Sequence, residues 1–147
     1  RARIWSSPGL LMADSAAHYP DGVAAHLQVA KRAAQRADLD TALRGIRAAV
    51  ARGFNRFEQL EEDPAWDPIA RQPRFRALVA EIAGTRIEWF ESQPTLTQLE
   101  WRGLAAARVA RGEYREALAA LERGLATGGP QDELIRREIE GLRPFVP

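Results

Sequence analysis

Cysteine is absent from this 147-residue sequence, and lysine and methionine occur once each, as Lys31 and Met12. Without cysteine, the chain has no disulfide, no thiolate ligand for a metal ion and no thiol nucleophile. Aromatic residues make up only 7% of the sequence. No apolar run approaches the roughly 20 residues that cross a bilayer, so we expect no membrane insertion by this segment.

An excess of one charge sign is also missing. The 21 basic and 20 acidic residues leave a formal net charge of +1. Such a chain has no long-range field to attract nucleic acid, so we expect no nucleic-acid partner. Interleaved charges are typical of solvated helix faces, and 46% hydrophobic residues are enough for a continuous core.

Helical periodicity is the main signal that the sequence does contain. From Leu39 onward, apolar residues recur at helical spacing, and Gly53 is positioned to end that helix. A preceding helix is predicted over residues 23–36, with Ala37 and Asp38 as the link and Asp38 as the N-cap. Because the link is so short, the two helices must lie antiparallel.

A second helix pair is predicted near the end of the chain. Thr97 and Glu100 have the spacing of a capping box, which begins a helix whose partner starts after Gly112. Pro130 suits the first position of a final helix, which runs to Leu142 and covers the last pair.

The stretch between the two pairs is less regular. It predicts a short helix over residues 55–60, a loop to Gln72, and a longer helix from Pro73 that is disturbed at Gly84. A further short helix is predicted over residues 8–18. No segment alternates with period two, so the sequence predicts an all-α fold without strands.

Residues 36–43 (RADLDTAL) and 111–118 (RGEYREAL) share one pattern: a small residue, an acid, a large apolar residue, two polar residues, Ala and Leu. This pattern resembles the inter-helix turn of the tetratricopeptide repeat, and Trp101, Leu104 and Ala105 match the first helix of that family. The two copies are about two family periods of roughly 34 residues apart, so the middle stretch is interpreted as a degenerate pair.

The resemblance implies a single domain over residues 1–147, built as a short tetratricopeptide-like α-solenoid of stacked antiparallel helix pairs with a C-terminal capping helix. It also implies a non-catalytic interaction or scaffolding module that binds a peptide or a partner helix on its helical surface. The implied segments are an N-terminal helix and turn (1–21), a repeat-like pair (22–53), a degenerate middle pair (54–94), a second repeat-like pair (95–129), and a capping helix with its tail (130–147).

The opening of the chain has a second resemblance. Residues 3–11 (RIWSSPGLL) and 18–20 (HYP) are similar to the junction where a glycosyltransferase-like, multi-span bacterial membrane protein continues into a C-terminal tetratricopeptide region. This resemblance implies an alternative function, as a soluble extracytoplasmic accessory domain of a membrane-embedded enzyme. It implies a periplasmic or other extracytoplasmic location, and a cytoplasmic location is the alternative.

No group of residues predicts catalysis or metal binding. The two histidines, His18 and His26, lie on different segments and have no second ligand at helical spacing. Glu61, Glu62 and Asp63 lack the alternation and the glycine of a calcium loop, so they are interpreted as a solvated turn. We therefore expect no enzyme activity, no catalytic residue, no metal and no cofactor.

Four aromatic residues leave an alternative open. Trp66, Trp89, Phe90 and Trp101 could line a ligand pocket. Large residues at helical spacing are more often part of a core, and this is the favoured interpretation. A polar cluster within a pocket would favour an enzyme instead.

In the tetratricopeptide family, the first helix of each pair lines a concave groove in which peptides or helices dock. One cation per copy beside small apolar residues predicts a protein or peptide partner of mixed apolar and acidic character. The partner's identity, the pathway and the oligomeric state stay open. By position, the candidate partner-binding groove consists of Ala24, Leu27, Lys31 and Gln35 from the first copy and Leu99, Arg102, Ala106 and Val109 from the second.

Overall fold

All regular structure in residues 18–147, the part of the chain that the computed structural model describes, is helical, and no strand occurs there. The all-α prediction is thus confirmed. The helix predicted over residues 8–18 lies outside the described residues, apart from His18. The α-helices are α1 (Val23–Gln35), α2 (Leu39–Ala51), α3 (Phe57–Glu62), α4 (Pro73–Glu91), α5 (Gln98–Ala110), α6 (Tyr114–Thr127) and α7 (Asp132–Leu142), and the 3₁₀-helices are Pro64–Ile69 and Arg143–Phe145. None of these helices combines the length and apolar character needed to cross a membrane.

The chain divides into two compact units between Leu78 and Val79, within α4. In the first unit, α1 packs against α2, and their short link makes the two helices antiparallel. Small residues permit a close approach, since a Cβ atom added to Gly45 would lie 2.8 Å from the Cβ of Ala30. The first predicted helix pair is confirmed.

Residues Pro64–Ile69 form a 3₁₀-helix that packs on α1. The loop predicted up to Gln72 is therefore wrong over these residues. The carboxylate of Asp63 caps this helix by accepting a hydrogen bond from the backbone N–H two residues later, at 2.9 Å. Pro64 then supplies a backbone angle suited to the first helical position. Trp66 is buried, with its ring centroid 6.1 Å from that of Phe75, so core packing anchors the segment despite its prolines.

In the second unit, α6 packs against both α5 and α7. The predicted capping box is confirmed, because Thr97 Oγ1 accepts from the Glu100 N–H at 3.2 Å and Glu100 Oε2 accepts from the Thr97 N–H at 2.7 Å. The predicted helical position of Pro130 is wrong, since α7 begins at Asp132. The N–H of Gln131 is bonded to a side chain of α5, which holds this segment in a turn.

Helix α4 continues without interruption through Gly84. A Cβ atom at this position would lie 2.9 Å from the guanidinium of Arg111, which donates a hydrogen bond to the Ala80 carbonyl at 3.1 Å. Ile82 and Ile87 are buried on either side of the glycine. The glycine that the sequence pattern treats as a disturbance therefore makes room for an arginine side chain.

The links within the two helix pairs have the same backbone geometry. Ala37 and Gly112 both have positive φ, 56° and 73° respectively. In each link the next residue's N–H donates to the carbonyl five residues earlier, at 2.9 Å, and this carbonyl also accepts at 3.1 Å from the N–H three residues after it. Asp38 is the N-cap as predicted, accepting from the Thr41 N–H at 3.2 Å. Residues 36–43 and 111–118 thus share a conformation as well as a pattern at this turn.

Candidate functional site

The groove residues predicted on α1 do not form one open surface. Leu27 is only 3% exposed and belongs to the core of the first unit. Lys31 is half-buried, and its ammonium lies 2.7 Å from a carboxylate oxygen of Asp63. Gln35 is exposed, and Ala24 is half-buried. The one cation of this set is therefore matched by an acid of its own unit.

The carboxylate of Asp63 is contacted by both Lys31 and the backbone N–H of Ala65. Burial by itself raises the pKa of this carboxyl, but the hydrogen bonds from Lys31 and from the backbone N–H of Ala65 outweigh burial and leave the pKa below its usual value. Asp63 is therefore an anion at neutral pH. It fixes the start of the 3₁₀-helix and the position of Lys31 together.

Arg102, the cation predicted for the groove on α5, is bound to α7. Its Nε lies 3.2 and 3.1 Å from the two carboxylate oxygens of Glu138, and its Nη2 donates to Glu138 Oε1 at 2.6 Å. Its Nη1 donates to Gln131 Oε1 at 2.9 Å. Hydrogen bonding to Glu138 outweighs burial and raises the pKa of Arg102. This guanidinium links two helices instead of facing solvent.

The other three predicted groove residues on α5 are exposed. Leu99 has 64% of its surface exposed and Val109 has 36%, and Ala106 is exposed between them. Their spacing of i, i+7 and i+10 places them on one face of the helix. We name this surface, formed by Leu99, Ala106 and Val109, the α5 row.

A cleft of about 470 Å³ opens elsewhere in the second unit, and it is lined by Phe90 and Trp101, two of the four aromatic residues for which a ligand pocket is the alternative interpretation. It lies where the end of α4 and the loop that follows meet α5 and α6. Its volume falls within the range of about 300–1,000 Å³ that is usual for ligand sites. We name it the Trp101 cleft, and its apolar lining consists of Phe90, Pro94, Leu96, Trp101, Leu104, Ala119 and Ala120.

Four charged side chains also line this cleft, and two of them neutralise each other. Arg108 is bonded to Glu91, and its Nη1 donates to Glu113 Oε2 at 2.6 Å. Hydrogen bonds from Arg108 and then Arg111 hold the pKa of Glu113 below its usual value. The positive charge of Arg108 is thus already matched.

The remaining two charges of the cleft are Glu116 and Arg123. Neither has an ion-pair partner within 4.0 Å among residues 18–147. The guanidinium carbon of Arg123 lies 5.6 Å from the ring centroid of Trp101, which is a cation–π arrangement. The cleft therefore combines an apolar interior with one acid and one base that are available to a bound molecule.

The aromatic residues divide between core and surface. The core interpretation is confirmed for Trp66 and Phe90, which are buried. It is wrong for Trp89, which is 45% exposed beside Arg86, and Trp101 is half-buried in the wall of the cleft. Helical spacing cannot distinguish these cases, because residues on the edge of an apolar face share the periodicity of the core.

The histidines do not form a ligand cluster in the described residues. His26 Nε2 lies 2.8 Å from a carboxylate oxygen of Asp21. No group of three or more His, Cys, Asp or Glu side chains within residues 18–147 is arranged to hold a metal ion. Comparison of the chain with protein-family models, curated proteins and solved structures gives no match.

Proposed function

We propose that this chain is a non-catalytic protein-interaction module, a short helical-repeat solenoid of the tetratricopeptide type, which binds a partner helix along the α5 row. The shared turn geometry at Ala37 and Gly112 and the close helix packing at Gly45 support the repeat interpretation. Scaffolding by such a module consists of presenting a fixed apolar surface to another protein.

The observation that carries this proposal is the exposed apolar face of α5. Leu99, Ala106 and Val109 lie on one face, and Ala110 lies beside them, whereas Gly103 packs against the ring of the buried Phe90. From Leu99 to Val109 the row is about 15 Å long at 1.5 Å per residue, which is close to three helical turns. Small residues in the middle of the row permit close packing by the ridge of a second helix.

The internal ion pairs change the partner chemistry that the sequence predicts. Lys31 and Arg102 already contact Asp63 and Glu138, so neither cation is available for an acidic group of a partner. The α5 row itself is uncharged. We therefore propose that the partner is an amphipathic helix that docks through an apolar stripe, and that acidic residues contribute little.

Binding of a fluorescein-labelled amphipathic peptide with leucines at i, i+3 and i+7 tests this proposal by fluorescence anisotropy. Leu99→Glu places a charge within the contact and is expected to weaken binding at least about tenfold. Leu134→Glu is the matched control, because Leu134 is an exposed leucine of α7 outside the row. Equal affinities of the two variants for the peptide would overturn the proposal.

A further inference from the structure

We propose that the Trp101 cleft is a second binding site, for a helical peptide segment that presents an acid and a base seven residues apart with apolar side chains between them. This site does not depend on the α5 row. Trp101, Leu104 and Arg108 contribute to it at i, i+3 and i+7, which is a different face of α5 from the row.

The interior of the cleft accepts apolar side chains. Phe90, Leu104 and Ala120 are buried at its base, and Leu96 and Trp101 are half-buried in its walls. Moving apolar side chains of a peptide from water into this space is favourable, because it removes apolar surface from solvent on both partners.

The charged side chains of the cleft determine which charged residues flank the apolar side chains of the bound peptide. Arg108 is matched by Glu91 and Glu113, so it offers no net charge to a ligand. Glu116 and Arg123 have no such partner among the described residues. A segment binds most tightly when it places a cation beside Glu116 and a carboxylate beside Arg123, because both charges of the protein are then compensated.

The spacing of these two charges sets the spacing in the ligand. Glu116 and Arg123 are seven positions apart on α6, so they lie on the same face and about 10.5 Å apart along its axis. An acid and a base at i and i+7 of a second helix have the same separation. The exposed Ala119 and the buried Ala120 lie between them, and both are small enough to allow a helix close to α6.

Arg123 is positioned in advance for this contact. Its guanidinium lies over the ring of Trp101, so less side-chain freedom is lost when it binds a carboxylate. Trp101 therefore acts as a positioning residue for Arg123 as well as a wall of the cleft.

Three fluorescein-labelled helical peptides of about 15 residues test the inference, because this length is sufficient for measurable helicity in water. They share leucines at i+3 and i+4 and differ only at i and i+7, which carry Glu and Lys, two Glu, or two Lys. The Glu/Lys peptide is expected to bind the wild-type chain at least about fivefold more tightly than either like-charged peptide. The leucines at i+3 and i+4 exchange places when the helix is reversed, so the Glu/Lys peptide can bind in the direction that places its Lys beside Glu116 and its Glu beside Arg123.

Two charge variants give the sharper comparison. Arg123→Glu makes both available charges of the cleft acidic, so the preferred peptide is expected to become the one with two Lys. Glu116→Arg is expected to shift the preference to the peptide with two Glu. Equal binding of all three peptides by wild-type protein, or an unchanged preference in these surface variants, would overturn the inference.

Two further variants distinguish binding in the cleft from binding at the α5 row and from self-association. Ala119→Trp is expected to block the cleft and to lower the affinity for all three peptides at least about tenfold. Leu99→Glu in the α5 row is expected to leave these affinities unchanged. Peptide binding that is weakened by Leu99→Glu but not by Ala119→Trp would place the peptides on the α5 row and would contradict this inference. Loss of a concentration-dependent dimer in Ala119→Trp, without peptide binding by the wild type, would identify a second copy as the occupant and also overturn it.

Discussion

Arg102 and Glu138 join α5 to α7 through three short nitrogen–oxygen contacts, the closest at 2.6 Å. Lys31 and Asp63 make the comparable contact in the first unit, at 2.7 Å. In both units, a cation on the first helix of the pair bonds to an acid that follows the second helix. These cations hold the following segment in place, which explains why they do not form an open binding surface.

The Arg102–Glu138 pair is expected to stabilise the second unit measurably. The side chains are only 22% and 33% exposed, and an arginine bonded to both carboxylate oxygens is stronger than an exposed pair. A double-mutant cycle with Arg102→Ala and Glu138→Ala, measured by urea unfolding, is expected to give a coupling energy of about 1–2 kcal/mol. The exposed Glu140–Arg143 pair is the control, with an expected coupling below about 0.5 kcal/mol. Equal couplings would contradict this prediction.

Gln98 is expected to contribute more to the stability of the chain than most neutral polar side chains do. It is buried, and its Nε2 donates to the Gly124 carbonyl at 3.2 Å and to Asp132 Oδ1 at 2.6 Å, while its Oε1 accepts from the Gln131 N–H at 2.9 Å. Gln98→Ala leaves three polar groups without this partner, so the free energy of unfolding is expected to fall by about 2–3 kcal/mol.

Gln59 of α3, which is not buried, provides the control for Gln98. Gln59→Ala is expected to change the free energy of unfolding by less than about 0.5 kcal/mol. Chemical denaturation of both variants measures the difference. A loss at Gln98 no greater than that at Gln59 would show that water replaces the buried bonds without cost.

The two helix links are expected to respond in opposite directions to exchange of their central residues. Ala37 has φ of 56°, where a Cβ atom is unfavourable, and Gly112 has φ of 73°. Ala37→Gly is therefore expected to stabilise the chain by about 1 kcal/mol, and Gly112→Ala to destabilise it by about as much. Thermal unfolding tests both changes.

Ala106→Gly is the control for the Ala37 prediction, because Ala106 lies in the middle of α5 and is exposed. Glycine in a helix interior costs about 1 kcal/mol, so this variant is expected to be less stable than the wild type. Destabilisation by Ala37→Gly as well would indicate that the link is not held in its left-handed conformation.

The Glu113 carboxylate is expected to make stability depend on pH in the acid range. Arg108, followed by Arg111, lowers its pKa in the folded chain below the ordinary value of 4.5. The stabilising contribution is therefore complete above 4.5 and is lost as the pH falls through the lowered pKa. At pH 7, Glu113→Gln is expected to cost roughly 1 kcal/mol, and this difference is expected to shrink toward pH of about 3.

Urea unfolding at several pH values measures the Glu113 effect. Glu122→Gln is the control, since Glu122 is an exposed acid on α6, the helix that begins after Glu113, and it has no ion pair among residues 18–147. If the loss in free energy of unfolding caused by Glu113→Gln stays constant across the pH range, this loss does not have an electrostatic origin.

Local signals in the sequence predict most of the helices, because caps and links act over a few residues. The Asp38 cap and the Thr97–Glu100 capping box are formed, and the helix starts they predict lie within one residue of those observed. The 3₁₀-helix at Pro64–Ile69 is not predicted, because its stability depends on burial of Trp66 against distant residues.

The candidate site is less accessible to sequence reasoning, because ion pairing is decided in three dimensions. Arg102 and Glu138 are 36 residues apart, and no periodicity connects them. The same applies to the Trp101 cleft, which is lined by two segments of the chain, 90–108 and 116–123. By contrast, Leu99, Ala106 and Val109 are named for the groove from the resemblance to the first helix of a tetratricopeptide repeat, and all three are exposed.

The scarcity of lysine makes Lys31 a chemical reporter of the first unit. Its amine is the only lysine amine in the sequence, and it is engaged by Asp63 while α1 and the following 3₁₀-helix are packed together. Acylation removes the charge on which that contact depends. The rate at which an amine-directed reagent labels this side chain, followed by mass spectrometry, thus reports how often the first unit opens.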